Sequence, residues 1–306
     1  MTPSAKTTGR PVAVSKVVLM AVLLVFDSLH FVFAKLLHAY ISPAVSVFYV
    51  LGISTVEVGL FALAQKRLHL STLKRHFWFF LAIGFLIAAS TNINYEAVAY
   101  LDPGTASLLS QTSILFGLGF GVLWLRDKLT HRQIGGAVLA ALGVFVISFQ
   151  PGDYLRLGSL MVVGSALMYA FHTALTKRHG GEIDFLDFFF GRLLFTTGVL
   201  FCFSMARGAL AWPTATAWGL LVLVGTVDVA LSRALYYVAL RCLTMSMHTL
   251  ILTITPILAV CWSLLFFRVM PTAAQLAGGA AIVAGVVLVT RREKRSEKVG
   301  GRKWRK

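Results

Sequence analysis

"DSLHFVFAK" occupies residues 27–35 and "YAFHTALTK" residues 169–177. Each lies in an apolar stretch, and each sets a histidine five positions before a lysine: His30 with Lys35, His172 with Lys177. The two histidines and the two lysines are separated by the same interval, 142 positions. The interval recurs. Gln133 and Gln275, Gly136 and Gly278, and Gly143 and Gly285 repeat it. "TSIL" at 112–115 resembles "TPIL" at 255–258, and "GFLIAASTNINY" aligns with "GTVDVALSRALY", pairing Gly84 with Gly225 and Tyr95 with Tyr236. A near-constant offset along a half-chain points to a duplicated unit.

The unit is a membrane unit. The chain is 58% hydrophobic and 13% charged over 306 residues, and its mean hydropathy is +0.80. A soluble domain carries about 25% charged residues, so this surface could not be hydrated and the chain reads as integral to a bilayer. A spanning helix takes roughly 20 apolar residues. Ten spans follow, at about 14–37, 41–64, 77–100, 104–125, 131–149, 155–177, 184–206, 216–240, 244–267 and 272–290. Closed β-barrels are the other way to satisfy backbone groups in lipid, but these runs do not alternate as barrel strands do. Proline and glycine punctuate the joints at "YISP" (40–43), "LDPG" (101–104) and "QPGD" (150–153). "HGGEID" at 179–184 is the expected hinge between halves. The expected division is a cytoplasmic segment 1–13, a first five-helix repeat 14–150, a second repeat 151–290 and a basic cytoplasmic tail 291–306.

Charge orients the spans. With the N-terminus in the cytoplasm, most basic residues fall in cytoplasmic segments, including the tail "RREKRSEKVGGRKWRK", as the positive-inside rule requires. Both termini then lie on one side of a bacterial inner membrane. The chain's net charge is +16, and its densest basic run is that tail, beside a span, which fits an anchor near anionic lipid rather than nucleic-acid binding. The N-terminal apolar run lacks a clear small-residue cleavage site, so it is read as a retained first span. Cys202, Cys242 and Cys261 show neither metal spacing nor a disulfide pattern, and no cofactor or metal is expected.

Five spans per unit is an odd number, so the second copy enters the membrane upside down. Inverted repeats are a recurrent transporter architecture, with substrate held near the midplane. "LWLRDKLTHRQIGGAVLAALGVFVI" and "FFRVMPTAAQLAGGAAIVAGVVLV" each combine an apolar helix, a polar helix start and a glycine-bearing final helix. They resemble the close of an EamA-type repeat, and from about residue 14 to 290 the chain resembles the drug/metabolite transporter superfamily. The resemblance implies an all-α membrane protein, ten transmembrane helices in two inverted five-helix repeats. One position departs: Asp127 holds the acidic place in the first copy and Val269 stands in the second.

Polar groups inside a bilayer are costly and face a cavity or a partner. Asp27 and His30 share a face of the first span, as Tyr169 and His172 do in the sixth. Each histidine reads equally as a bundle hydrogen bond or as a titrating cavity group. Lys35 and Lys177 are rotated about 140° from them and are expected to snorkel to opposite headgroup layers. The third span carries Asn92, Tyr95 and Glu96; the eighth carries Asp228, Arg233 and Tyr236. Arg233 needs an anion, and Asp228 at i, i+5 is imperfectly placed for it on an α-helix. Arg192 raises the same question, and Glu57 stands alone with its role open. Gln111 shares a face with Ser107, and Pro256 is expected to kink the ninth span. The fifth and tenth spans are glycine-rich and suit a scaffold or a homodimer contact. The pattern implies a secondary transporter exporting a small polar or amphipathic metabolite such as an amino acid, with proton coupling through Asp27 or Asp228 open. A lipid-linked headgroup flippase is the alternative, and an intramembrane enzyme is a third. No phosphate-binding loop motif is present for direct use of ATP.

Overall fold

The computed structural model describes residues 16–125, 130–148, 157–180, 183–242, 252 and 254–290. The N-terminal segment, the tail, Asp127, the "QPGD" joint and the centre of "HGGEID" lie outside them. Among the described residues the secondary structure is helical, with no strand. The first span is two helices, α1 (Lys16–Ser28) and α2 (His30–His38). The second is α3 (Pro43–Ala64), followed by a short surface helix α4 (Leu70–Arg75) and the third span α5 (Phe77–Ala97). The fourth divides into α6 (Pro103–Ser110) and α7 (Thr112–Leu125). α8 (His131–Ser148), α9 (Leu157–His179) and α10 (Phe185–Ala206) are the fifth to seventh. The eighth begins as α11 (Ala215–Val224), widens into a π-helical segment over Gly225–Leu231 and ends as α12 (Ser232–Cys242). α13 (Thr255–Phe267) and α14 (Ala273–Thr290) belong to the ninth and tenth.

Seven of these segments are long and apolar enough to cross a membrane, and three shorter apolar helices, in the fifth, ninth and tenth spans, complete the set among the described residues. Local sequence starts the helices. Pro43 and Pro103 stand in first turns, where no N–H is needed, and the Asp102 carboxylate accepts from the Thr105 N–H at 2.8 Å. The repeated helix start is a reciprocal cap. Thr130 N–H donates to Gln133 Oε1 at 2.9 Å, and Thr272 N–H to Gln275 Oε1 at 2.7 Å. Gln133 and Gln275 N–H return bonds to the two threonine hydroxyls at 3.4 and 3.3 Å, satisfying donors that a helix start otherwise leaves orphaned.

The 142-residue interval becomes a spatial relation. Thr55 Oγ1 of the second span lies 2.9 Å from Thr197 Oγ1 of the seventh, 142 positions on. Gln111 Nε2, between α6 and α7, donates to the Leu252 carbonyl of the other copy at 3.3 Å. The glycine-rich faces of α8 and α14 meet inside the chain. A methyl group on Gly136 would lie 2.6 Å from the Gly285 carbonyl oxygen, and one on Gly143 would lie 2.4 Å from that of Gly278. Residues that face their own repeat equivalents, and contacts that are reciprocal, are what a two-fold relation between copies produces. With five antiparallel spans in each unit, equivalent helices run in opposite directions. The fold is an all-α membrane bundle of ten helices in two inverted five-helix repeats.

Pro256 stands in the first turn of α13, so within the described residues it begins a helix rather than kinking one. His248 and Thr253 lie outside the described residues.

Candidate functional site

The first and eighth spans are the ones that depart from continuous α-helix where they face each other. In the first, the break falls at Leu29, between Asp27 and His30. Ser28 Oγ donates back to the Val25 carbonyl at 2.8 Å, a local bond that competes with helix continuation. Trp262 Nε1 of the ninth span donates to that same Ser28 oxygen at 2.9 Å. In the eighth span the π-helical turn carries Asp228 and precedes Arg233.

Two pairs join these irregular stretches. His30 Nδ1 lies 2.7 Å from Asp228 Oδ2, with Asp228 only 1% exposed. Arg233 Nη1 donates to Asp27 Oδ1 at 3.2 Å. The i, i+5 spacing explains how one helix serves both. On an α-helix, Asp228 and Arg233 would point about 140° apart; a turn closed by i→i+5 bonds brings residues of that spacing back toward one face. On an unbroken α-helix, Asp228, Ser232 and Tyr236 at i, i+4, i+8 would form one stripe. Instead Arg233 faces the first span beside Asp228, and Ser232 is fully buried.

Aromatic groups from other spans surround the pairs. The Tyr95 ring of the third span stands edge-on to His30, centroids 5.8 Å apart, and is itself buried. Tyr169 and Tyr236 lie within electrostatic reach of Arg233. Tyr169 also packs on His172 at 5.4 Å between centroids. Asp27, His30, Tyr95, Tyr169, Asp228, Arg233 and Tyr236 therefore converge from four spans.

His172 does not reproduce His30. It is 4% exposed, and neither ring nitrogen has a hydrogen-bond partner among the described residues. Asn92 and Glu96 pair with each other. Asn92 Nδ2 donates to Glu96 Oε1 at 3.2 Å, and Glu96 lies 3.7 Å from the exposed Arg207 beyond the seventh span. Gln111 serves the contact with Leu252. The Lys35 ammonium donates to the Val98 carbonyl at the C-terminal end of the third span, where a cation meets helix carbonyls left without partners. Lys177 is exposed, as a snorkelling residue would be.

Three contacts escaped the sequence reading. Trp262 carries no charge and was passed over. Glu57 accepts from Thr226 Oγ1 at 2.6 Å, a pairing that only the meeting of α3 with the π-helical turn reveals. Buried Asp187 at the start of the seventh span accepts from His69 N–H at 2.8 Å and Thr72 Oγ1 at 3.0 Å, tying the loop between the second and third spans to it. Its one legible sign was an Asp three residues beyond the helix-capping Asp184.

Chemically, the cluster offers two carboxylates, a guanidinium, an imidazole and three phenols. Removing one member of a buried pair leaves an uncompensated charge, while exchanging it for a ligand group of the same sign does not. Among the described residues no group of three or more His, Cys, Asp or Glu side chains could hold a metal ion.

Known proteins share this plan. An EamA-like transporter family model matches residues 15–149 and again 156–291. The chain is 25% identical over 287 residues to the uncharacterized transporter YvbV of Bacillus subtilis (strain 168), covering 90% of this chain and 92% of that protein. It is 27% identical over 199 residues to a probable terminal-alkyne amino-acid exporter of Streptantibioticus cattleyicolor, covering 63% of this chain and 66% of that protein. A solved crystal structure superposes with a TM-score of 0.65 at 16% identity, over 90% of this chain and 96% of the other, a likeness of fold alone. Two matched units, spanning nearly the whole chain, place it in the EamA-like transporter family.

Proposed function

We propose that this transporter exports a small polar or amphipathic metabolite, such as an amino acid, by alternating access around the cluster of Asp27, His30, Asp228 and Arg233. The observation that carries the reading is the pair of polar contacts across one seam of the bundle, the His30 imidazole against the Asp228 carboxylate and the Arg233 guanidinium in a salt bridge with Asp27. A zwitterion has the groups to replace both kinds of partner. Its ammonium suits Asp27 or Asp228, and its carboxylate suits Arg233. Such an exchange conserves charge pairing, so it opens the seam without leaving a bare charge in the membrane. A ligand shifts an equilibrium by its differential affinity for the two states, and here the substrate competes directly with the closed-seam contacts. The relative named as an amino-acid exporter supports this substrate class. A proton taken up at Asp27 or Asp228 would loosen the same pairs, which is the proposed route for proton coupling. The charge bias supports a bacterial inner membrane location with both termini in the cytoplasm.

The test is counterflow of labelled amino acids into liposomes holding the purified protein. The expected result is saturable exchange of unaltered compound, reduced in Asp27→Asn and Arg233→Gln while both variants stay folded. Chemical conversion of the compound, or full exchange in both variants, would sink the reading.

A further inference from the structure

The π-helical turn is held from outside. Ser54 and Glu57 lie at i, i+3 on one face of α3 and both reach it. Ser54 Oγ sits 2.8 Å from the Gly225 carbonyl and 2.9 Å from the Val50 carbonyl of its own helix, its single hydrogen shared between them. The Thr226 hydroxyl lies 2.6 Å from Glu57 Oε1 and 2.8 Å from the Val222 carbonyl of its own helix, its single hydrogen likewise shared. Close approach makes this reach feasible, since a methyl group on Gly225 would fall 2.9 Å from the Val50 carbonyl oxygen. The stem of Glu57 lines an apolar groove with Ile53 and Trp218, yet its second oxygen is buried and its first is committed to Thr226. A carboxyl on a membrane helix that turns inward to one hydroxyl needs a structural purpose. The repeat supplies a contrast. Counting forward 142 positions, the partner of Glu57 is Val199, and the third span, opposite Val199's helix, runs as continuous α-helix from Phe77 to Ala97.

We propose that Ser54 and Glu57 are positioning residues that clamp the first two residues of the π-helical turn and so hold Asp228 against His30 and Arg233 against Asp27. The role rests on the proposed transport cluster but is read without transport. The geometry is sensitive, because one residue of register on an α-helix is about 100° of rotation. Relaxing Gly225–Leu231 to an α-helix would turn Arg233 off the face that carries Asp228.

The test uses the full-length protein labelled with 15N-histidine in lipid nanodiscs, reading the His30 and His172 imidazole signals by NMR. In Glu57→Leu and in Ser54→Ala, the His30 Nδ1 signal is expected to move to the position of an imidazole without a carboxylate partner. His172 should hold its place. Glu57→Gln, which keeps an oxygen acceptor for Thr226, should retain the wild-type His30 signal. A His30 signal unchanged in Ser54→Ala and Glu57→Leu would overturn the clamp. So would a His172 signal that moves with it, which would mark general loss of packing; if Glu57→Leu does not fold, Ser54→Ala decides alone. In liposomes, counterflow of a labelled amino-acid mixture should fall about tenfold or more in Glu57→Leu and recover in Glu57→Gln, within the roughly hundredfold loss that a 1 Å displacement of site groups can cause. Absence of counterflow in the wild-type protein counts against the transport reading, whereas the NMR result stands by itself.

Discussion

The seam between the third and sixth spans and the seam between the eighth and first occupy equivalent places in the two repeats, yet they are built differently. At the first seam, two uninterrupted helices meet through serines. Ser90 and Ser165, 2% and 1% exposed, place their hydroxyls 2.9 Å apart, and Ser165 also donates to the Ser90 carbonyl at 2.9 Å. At the second, two irregular helices meet through ionisable pairs. The repeat partners make the substitution explicit. Asn92 stands where the other copy has Arg233, and Tyr169 where it has Asp27. Small hydroxyl contacts let backbones come close and hold through many weak terms. Charge pairs hold through a few strong terms that a charged ligand or a proton can replace. Duplication supplied the matching geometry, and divergence put the exchangeable chemistry on one side.

The largest expected effect breaks the second seam. Arg233→Leu leaves Asp27 unpaired and is expected to lower stability by about 3 kcal/mol. Asp27→Leu combined with Arg233→Leu should regain most of that loss while transport stays absent, as read by thermal unfolding in detergent and by counterflow. A double variant as unstable as the single one would show that packing, rather than charge pairing, holds the seam.

The equivalent glycines sharpen the contrast. Gly84→Ala drives a methyl group to 2.9 Å from the Phe195 backbone, and Gly225→Ala drives one to 2.9 Å from the Val50 carbonyl oxygen. Each should cost about 1–3 kcal/mol by overpacking. Only Gly225→Ala should also cut the counterflow rate by about tenfold, because only it displaces the π-helical turn. Equal transport in the two variants would remove the functional distinction between the seams.

A smaller effect belongs to the hydroxyl seam. Ser165→Ala is expected to cost about 1 kcal/mol, the net worth of a buried hydrogen bond, and to leave the pH dependence of transport unaltered. The helix starts give the smallest effect and a symmetric control. Thr130→Ala and Thr272→Ala should each cost about 1 kcal/mol or less, and by similar amounts, since the two caps share the same pair of reciprocal backbone bonds.

What was readable before the structure was whatever depends on composition, interval and identity. The 142-residue offset was visible in "DSLHFVFAK" and "YAFHTALTK", and it reappears as Thr55 against Thr197 and as the crossed glycines. The polar residues of the first and eighth spans were legible as costly groups needing partners. The partners were not, because a 3.6-residue period assumes a regular helix and the eighth span abandons it at Gly225. For Lys35 the place near a helix end is legible, but its partner, a carbonyl at another helix's terminus, is not. Glu57 could not be placed because its partner, Thr226, lies 169 positions away.

The contact of Thr55 with Thr197 has one more consequence. A residue that meets its own counterpart across a two-fold axis makes the kind of contact that two separate, identical subunits would make. Joining the halves in one chain turns that encounter from a bimolecular event into an intramolecular one, with an effective concentration set by the linker. Assembly of the bundle is thereby independent of how many copies share the bilayer, and each half is free to drift in sequence without losing its mate.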